Sequence, residues 1–144
     1  MFMGEFEHSL DAKNRVIIPA DFRDELEDKI VITKGKNGCL EGYSKAVFDE
    51  YIESVIGGRS RLEEDVIIFK RRTLANGRNC EFDKQGRIVI PQSHKEYAGL
   101  DKDVVIVGMG DYFEIWDRTS WAKQSEYCDS QYEEVTHRLS GGAN

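Results

Sequence analysis

Leu10-Asp-Ala-Lys-Asn-Arg-Val-Ile-Ile-Pro19 and Phe82-Asp-Lys-Gln-Gly-Arg-Ile-Val-Ile-Pro91 are two copies of one segment, 72 residues apart in a chain of 144. Four of the ten positions are identical: Asp, Arg, Ile and Pro. Four more pair like with like: Leu10 with Phe82, Asn14 with Gly86, Val16 with Ile88 and Ile17 with Val89. After a small shift Ile30-Val-Ile-Thr33 matches Val104-Val-Ile-Val107, and Leu40-Glu-Gly-Tyr43 matches Phe113-Glu-Ile-Trp116. Three blocks in the same order make an internal duplication, and a repeat has to be recognised before any element is assigned.

The repeated motif is Asp-x-x-x-Arg followed by two apolar residues, Ile and Pro. An Asp at the first position of a tight turn can accept hydrogen bonds from backbone N–H groups two residues on. Asn14 and Gly86 hold the fourth place, and both tolerate positive φ. This predicts a type I turn closed by a left-handed residue. In each half an extended segment (Glu5–Leu10; Arg78–Phe82) enters the turn, and a β-branched run (Val16–Ile18; Ile88–Ile90) leaves it and stops at proline. Short helices follow at about Ala20–Asp28 and Gln92–Ala98, as Pro near a helix start suggests. Two more strands follow in each half, joined at Asn37-Gly38 and Gly110-Asp111. Ser44 and Asp117 are positioned as N-caps of longer helices. Gly57-Gly58-Arg59 breaks the chain, and Ser60-Arg-Leu-Glu63 is a capping box for a helix to about Arg72. Asn76-Gly77 opens the second half. Arg118–Leu139 is expected to be one long helix offering Trp121, Tyr127, Tyr132 and Val135 for packing, with a frayed tail from Ser140 to Asn144.

Two readings of the motif stay open on residue types alone. Asp and Arg can pair locally to staple the turn, an exposed interaction worth only about 0–1 kcal/mol. Alternatively Arg15 and Arg87, with Lys13 and Lys84, project to phosphates or guanine edges. The two are compatible, because an Asp can orient an Arg that also binds. The formal net charge of −7 argues against a generally cationic DNA-coating protein. By segment the picture changes. Lys70–Lys95 holds seven bases and two acids, Leu100–Glu134 three bases and nine acids, and Asp21–Asp28 sums to −4. Acidity therefore sits in the expected helices, and the second turn lies in a basic island. Met1–Ala20 sums to −1, with Lys13 and Arg15 its only bases. Lys70-Arg71-Arg72 is better placed to complement a helix C-terminus than to touch DNA.

With 40% apolar and 33% charged residues, the chain is an ordinary globular sequence. One compact domain, or two small halves sharing a core, fits this length, and no disulfide or metal is needed to fold it. Apolar runs stop at four residues, which excludes a membrane-spanning helix. With no basic n-region or apolar h-region after Met1, a cytoplasmic location is expected. Cys39, Cys80 and Cys128 lack metal or redox spacing, and Cys39 and Cys80 are expected as packed, reduced thiols. His8, His94 and His137 form no ligand pattern, so no metal and no cofactor is expected. Cys128 and His137 are nine apart on one helix, poor geometry for a nucleophile and its base. Glu41 and Glu114 recur in equivalent strands, where paired structural roles explain a repeat better than acid–base chemistry. Gly108-Met-Gly110 lacks the rest of a nucleotide fingerprint. Trp116 and Trp121 are expected to pack at the last strand–helix junction. An enzyme is not expected.

Met1-Phe-Met-Gly4, Leu10-Asp-Ala-Lys-Asn-Arg15, Ile18-Pro19 with Phe22-Arg23, Asp83-Lys-Gln-Gly-Arg87, Ala98-Gly-Leu100 and Phe113-Glu-Ile-Trp116 together resemble the MraZ family of bacterial transcriptional regulators over essentially the whole chain. The resemblance implies an α+β fold in which two tandem β-hairpin/short-helix repeats form an intrachain swapped-hairpin barrel of the AbrB type, with additional helices. Its expected divisions are a first repeat over 5–47, connecting helices over 48–76, a second repeat over 77–120, and a C-terminal helix and tail over 121–144. The resemblance also implies ring-like homo-oligomers that bind short direct repeats of double-stranded DNA in the promoter of the division and cell-wall gene cluster. The family's DNA-contact role carries over to Lys13, Asn14, Arg15, Lys84 and Arg87, while Asp11 and Asp83 shape the turns. Asn14 stands where the family usually has glycine, and His94 where the second short helix more often has an apolar residue. The functional expectation is a cytoplasmic, nucleoid-associated, autoregulatory repressor. The alternative is a protein-interaction or antitoxin-like module on the same fold. Few bases per chain imply weak binding by a monomer, which several chains on tandem repeats would raise through effective concentration.

Overall fold

Both halves lay down the same five elements. In the computed structural model, which describes residues 1–142, the first half runs β1 (Glu5–Ser9), β2 (Arg15–Ile17), α1 (Ala20–Arg23), β3 (Lys29–Lys34) and β4 (Leu40–Ser44). Two connecting helices follow, α2 (Lys45–Ile56) and α3 (Glu64–Thr73). The second half runs β5 (Arg78–Glu81), β6 (Arg87–Val89), α4 (Gln92–Tyr97), β7 (Asp103–Gly108) and β8 (Phe113–Asp117), and α5 (Arg118–Leu139) closes it.

The halves exchange their first strands. β1 pairs with β7 of the other half, from Glu5 opposite Val107 to Ser9 opposite Asp103. Reciprocally, β5 pairs with β3, Lys29 lying opposite Glu81 and Ile30 opposite Cys80. The result is one antiparallel sheet in the order β1-β7-β8-β4-β3-β5, joined at its centre by β4 and β8 with Glu41 opposite Glu114. β2 and β6 form a separate two-stranded ribbon in which Val16 lies opposite Ile88. A pseudo-twofold axis thus passes through the Val16/Ile88 and Glu41/Glu114 pairs. Among the described residues no closed barrel forms: the large sheet is open, with β1 and β5 at its edges. Each ribbon strand spans three residues and runs into Ile18-Pro19 or Ile90-Pro91. Proline has no N–H to donate, so the ladder ends there.

Packing follows from strand alternation. One face of the sheet presents Ile30, Ile32, Leu40, Val104, Ile106, Phe113 and Ile115 to a core completed by Val16, Ile18, Ile88 and Ile90 and by Phe22 of α1. Phe2, Phe22 and Phe113 meet at its centre, with ring centroids 4.9–5.9 Å apart. On the opposite face Val31 and Tyr43 pack with Phe48 of α2, and Val105, Val107 and Trp116 pack with Trp121 of α5. The ribbon with its short helices, the sheet, and the outer helices make three layers. Cys39 and Cys80 are buried free thiols.

Helix starts follow the expected caps. The Ser44 hydroxyl accepts from the Val47 amide at 3.2 Å, and the Asp117 carboxylate accepts from the Ser120 amide at 3.1 Å. Two boundaries differ from expectation. α1 ends at Arg23 rather than near Asp28, because Asp24, Glu25, Glu27 and Asp28 would crowd carboxylates onto a helix C-terminus that already carries partial negative charge. The Ser60 amide donates to Glu63 Oε2, but the Ser60 hydroxyl accepts from the Leu62 amide rather than from Glu63, so these residues close a turn ahead of α3, whose N-cap is Glu63. α5 forms as expected but buries no residue, and Tyr127 and Tyr132 stay exposed. Of the expected frayed tail, Ser140–Gly142 make backbone bonds back to Thr136, His137 and Arg138, while 143–144 lie outside the described residues. No described helix is long and apolar enough to cross a membrane.

Candidate nucleic-acid interface

The two Asp-x-x-x-Arg turns have the same geometry. In the first, the Asn14 amide donates to the Asp11 carbonyl at 3.0 Å, and the Asp11 amide donates to the Arg15 carbonyl at 3.0 Å. Asn14 adopts φ 60° and its counterpart Gly86 φ 77°, the left-handed position each turn requires. Asp11 Oδ1 accepts from the Lys13 and Arg15 amides at 2.9 and 2.8 Å, and its Oδ2 accepts from Arg15 Nε at 2.7 Å. Asp83 repeats this with the Gln85 and Arg87 amides, both at 2.9 Å, and with Arg87 Nε at 2.8 Å. These bonds, first among them the amide of the turn's own arginine, hold both carboxyls below the ordinary aspartate value.

The ion pairs use Nε, one of the five N–H donors of each guanidinium. Arg15 keeps both terminal nitrogens clear of carboxylates among the described residues, while Nη1 of Arg87 also lies 3.9 Å from Asp11 Oδ2. That contact shows how close the two turns come. The ribbon explains it: Val16 and Ile88 point into the core, so Arg15, Ile17, Arg87 and Val89 all project outward. Ile17 and Val89 are exposed despite being apolar. Lys13 and Lys84 are exposed on the turns themselves. All five residues expected to contact DNA therefore lie at one end of the molecule.

Residues absent from the sequence expectation complete this end. Each short helix leans on the other half's turn. Lys95 Nζ of α4 donates to Asn14 Oδ1 at 3.2 Å, and Asn14 Nδ2 donates to Gln92 Oε1 at 3.2 Å. Arg23 of α1 donates to the Ile18 carbonyl at 2.6 Å, and its guanidinium lies over Gly86. A backbone bond also crosses the halves, from the Ile90 amide to the Asn14 carbonyl at 2.8 Å. The sequence signal was present: Arg23 and Lys95 are 72 apart, the spacing of the repeat. His94, two residues beyond Gln92, is buried and its Nε2 lies 2.6 Å from the Asn76 carbonyl oxygen. It takes the core place that Phe22 fills in the first half, and burial lowers its pKa.

The remaining chemistry is tied up in packing. Arg72 bonds the Lys34 and Gly35 carbonyls and the Tyr97 hydroxyl rather than facing the turns. Glu41 is buried and accepts from the Tyr43 hydroxyl at 2.8 Å, and Glu114 accepts from Trp116 Nε1 at 2.9 Å. Burial raises the Glu41 pKa, with the facing Glu114 adding to it. A cavity of about 350 Å³ beside Glu41 is lined in part by Tyr43, Tyr51 and Tyr112. Among the described residues no three His, Cys, Asp or Glu side chains are placed to hold a metal ion.

Comparison with known proteins places this architecture. The family described as "MraZ protein, putative antitoxin-like" matches residues 1–65 and 73–141. A protein of Thermoanaerobacter sp. (strain X514), named Transcriptional regulator MraZ, is 42% identical over 96% of both chains. One of the same name from Caldanaerobacter subterraneus subsp. tengcongensis is 43% identical, again over 96% of both. Among solved structures, the solution structure of PHS018 from Pyrococcus horikoshii is similar at TM-score 0.33 and 15% identity, covering 80% of this chain and 88% of that one, a likeness too remote to inform the fold. With the family's model matched across both halves and relatives above 40% identity along nearly the full length, this chain belongs to the MraZ family.

Proposed function

We propose that this protein is a DNA-binding transcriptional regulator that grips duplex DNA with the outer face of the β2–β6 ribbon. The observation that carries this reading is the pair of Asp-x-x-x-Arg turns set side by side, each arginine braced through Nε with terminal nitrogens left for a ligand. A two-stranded ribbon fits the major groove, and Arg reads guanine O6 and N7 there with two donors. Arg15 and Arg87 are the base or phosphate contacts, Lys13 and Lys84 the phosphate contacts, and Asn14 a polar contact on the turn. Ile17 and Val89 offer apolar contact to thymine methyls. Asp11 and Asp83 hold the arginines in place. The exchanged strands β1 and β5 are read as a swapped hairpin of the AbrB type. The name carried by the relatives supports the regulatory role.

The finer reading is an autoregulatory repressor acting at the nucleoid in the cytoplasm, on short direct repeats in the promoter of the division and cell-wall gene cluster, as a ring-like homo-oligomer. Self-association is favoured by α5, which spans 22 residues without burying one. Gel-shift titration on DNA from upstream of this protein's own gene tests the reading. Arg15→Ala is expected to abolish specific binding while leaving the fold intact, as circular dichroism checks. Unchanged affinity would refute the assignment, and a monomer by light scattering at micromolar concentration would refute the assembly.

A further inference from the structure

We propose that each turn's DNA site is composite, with a second phosphate contact supplied by the opposite half: Lys95 at the first turn and Arg23 at the second. The inference rests on the DNA-binding reading above and adds two residues to it. Arg23 and Lys95 occupy the same position of the duplicated unit, 72 apart, the fourth residue of α1 and of α4. The strand exchange turns each away from its own turn and toward the other half's. Lys95 Nζ rests on Asn14 Oδ1 at 3.2 Å, and the Arg23 guanidinium lies over Gly86 and holds the Ile18 carbonyl.

Both cations sit on neutral oxygens. Neither has a carboxylate within 4.0 Å among the described residues, whereas Lys29, Lys45, Arg59 and Arg118 each do. This holds although Glu96 follows Lys95, since Glu96 accepts from Gln92 instead. Both residues are half-buried, and the hydrogen bonds that hold their charged ends are part-buried, so neither side chain swings freely in solvent. A fixed cation beside a groove-reading turn, held by oxygens that leave its charge uncompensated, fits the phosphodiester backbone. Contacts of that kind set register and strength without reading sequence. Arg23 retains its Nε and Nη2, and Lys95 retains two of its three ammonium donors, for phosphate oxygens.

The test uses the full-length protein and fluorescence anisotropy on two duplexes, one from the upstream region of its gene and one of scrambled sequence, across a salt series. Lys95→Gln can keep the Asn14 contact but removes the charge. It is expected to weaken binding to both duplexes by a similar factor, about 5–10-fold, and to lower the log–log salt slope by about 1 per bound protomer. Lys95→Arg is expected to restore both. For Arg23, whose removal also frees the Ile18 carbonyl, Arg23→Lys should keep the slope and Arg23→Gln should lose it, at matched melting temperatures. If Lys95→Gln and Arg23→Gln leave affinity and slope unchanged while Arg15→Ala abolishes binding, the composite site is wrong and the DNA-binding reading stands. If Arg15→Ala is also without effect, or the parent binds neither duplex, both fall.

Discussion

Gly86→Ala tests the turn and its bracing from the other half in one substitution. Gly86 sits at φ 77°, and a Cβ built there would meet Arg23 Nη1 at 2.2 Å. An L-residue in the left-handed region costs roughly 1–2 kcal/mol. The guanidinium is the far end of a flexible side chain, so it can retreat, but retreat breaks its 2.6 Å bond to the Ile18 carbonyl. A hydrogen bond to a charged group contributes about 1.5–3 kcal/mol, and half-exposure at this site argues for the lower end. Lower unfolded-state entropy of Ala returns about 0.4–1 kcal/mol. The net expectation is a loss of about 2–3 kcal/mol, read as a drop of about 1 M in the urea midpoint at fixed protein concentration with an unchanged slope. Asn14→Gly is the matched control. Its φ of 60° suits glycine, whose freedom from left-handed strain offsets its greater unfolded-state entropy, so the change comes from losing the exposed contact to Gln92 and the part-buried one to Lys95, about 1 kcal/mol in all. A Gly86→Ala protein within about 0.5 kcal/mol of the parent would refute the argument that Arg23 is packed on this turn.

Other consequences can be measured with equal economy. Gly42 lies opposite Phe113, and a Cβ there would come within 2.2 Å of that fully buried ring, so Gly42→Ala should lower the melting temperature by several degrees, as overpacking by about 1–3 kcal/mol does. Because Asp11 and Asp83 titrate below their unfolded value of 3.8, the stability they contribute is present above that pH and lost as pH falls through their folded values; the Asp11→Asn/Asp83→Asn double variant should show a weaker acid-induced loss in denaturation at pH 2–5. Glu41 has the opposite sign: its folded pKa is raised above 4.5, so its ionisation progressively destabilises the fold as pH rises from there. Glu41→Gln should therefore gain stability relative to the parent between pH 4.5 and 7, and a constant difference would refute this. Cys39 and Cys80, the latter's thiol pushed up to about 11 by burial, should react with a thiol reagent only on unfolding, whereas exposed Cys128 should react in the folded chain.

Much of this protein is legible in its sequence because its signals are local. The Asp-x-x-x-Arg turns close through bonds spanning four residues, and the Ser44 and Asp117 caps through bonds spanning three. Such contacts depend little on the rest of the chain, so residue type and spacing suffice. The duplication is visible for the same reason, since matched turns and matched apolar strands recur in order. The end of α1 was less legible, because Phe22 and Leu26 are both buried at the four-residue spacing of a continuing helix, without any cap to mark where helical bonds stop.

The pairing of the halves belongs to the tertiary structure. Duplication itself hides it: β1 meets the same kind of partner in Ile30–Thr33 of its own half as in Val104–Val107 of the other, and alternation is satisfied either way. Only the packed molecule selects the crossed arrangement, in which Val16 and Ile88 complete one core from both sides. That selection brings Arg15 beside Arg87 and carries Lys95 to Asn14 and Arg23 to Gly86. Four-residue turns are fixed by short-range hydrogen bonds, whereas contacts 63 to 81 residues apart exist only because burying the shared apolar core outweighs the entropy of closing long loops.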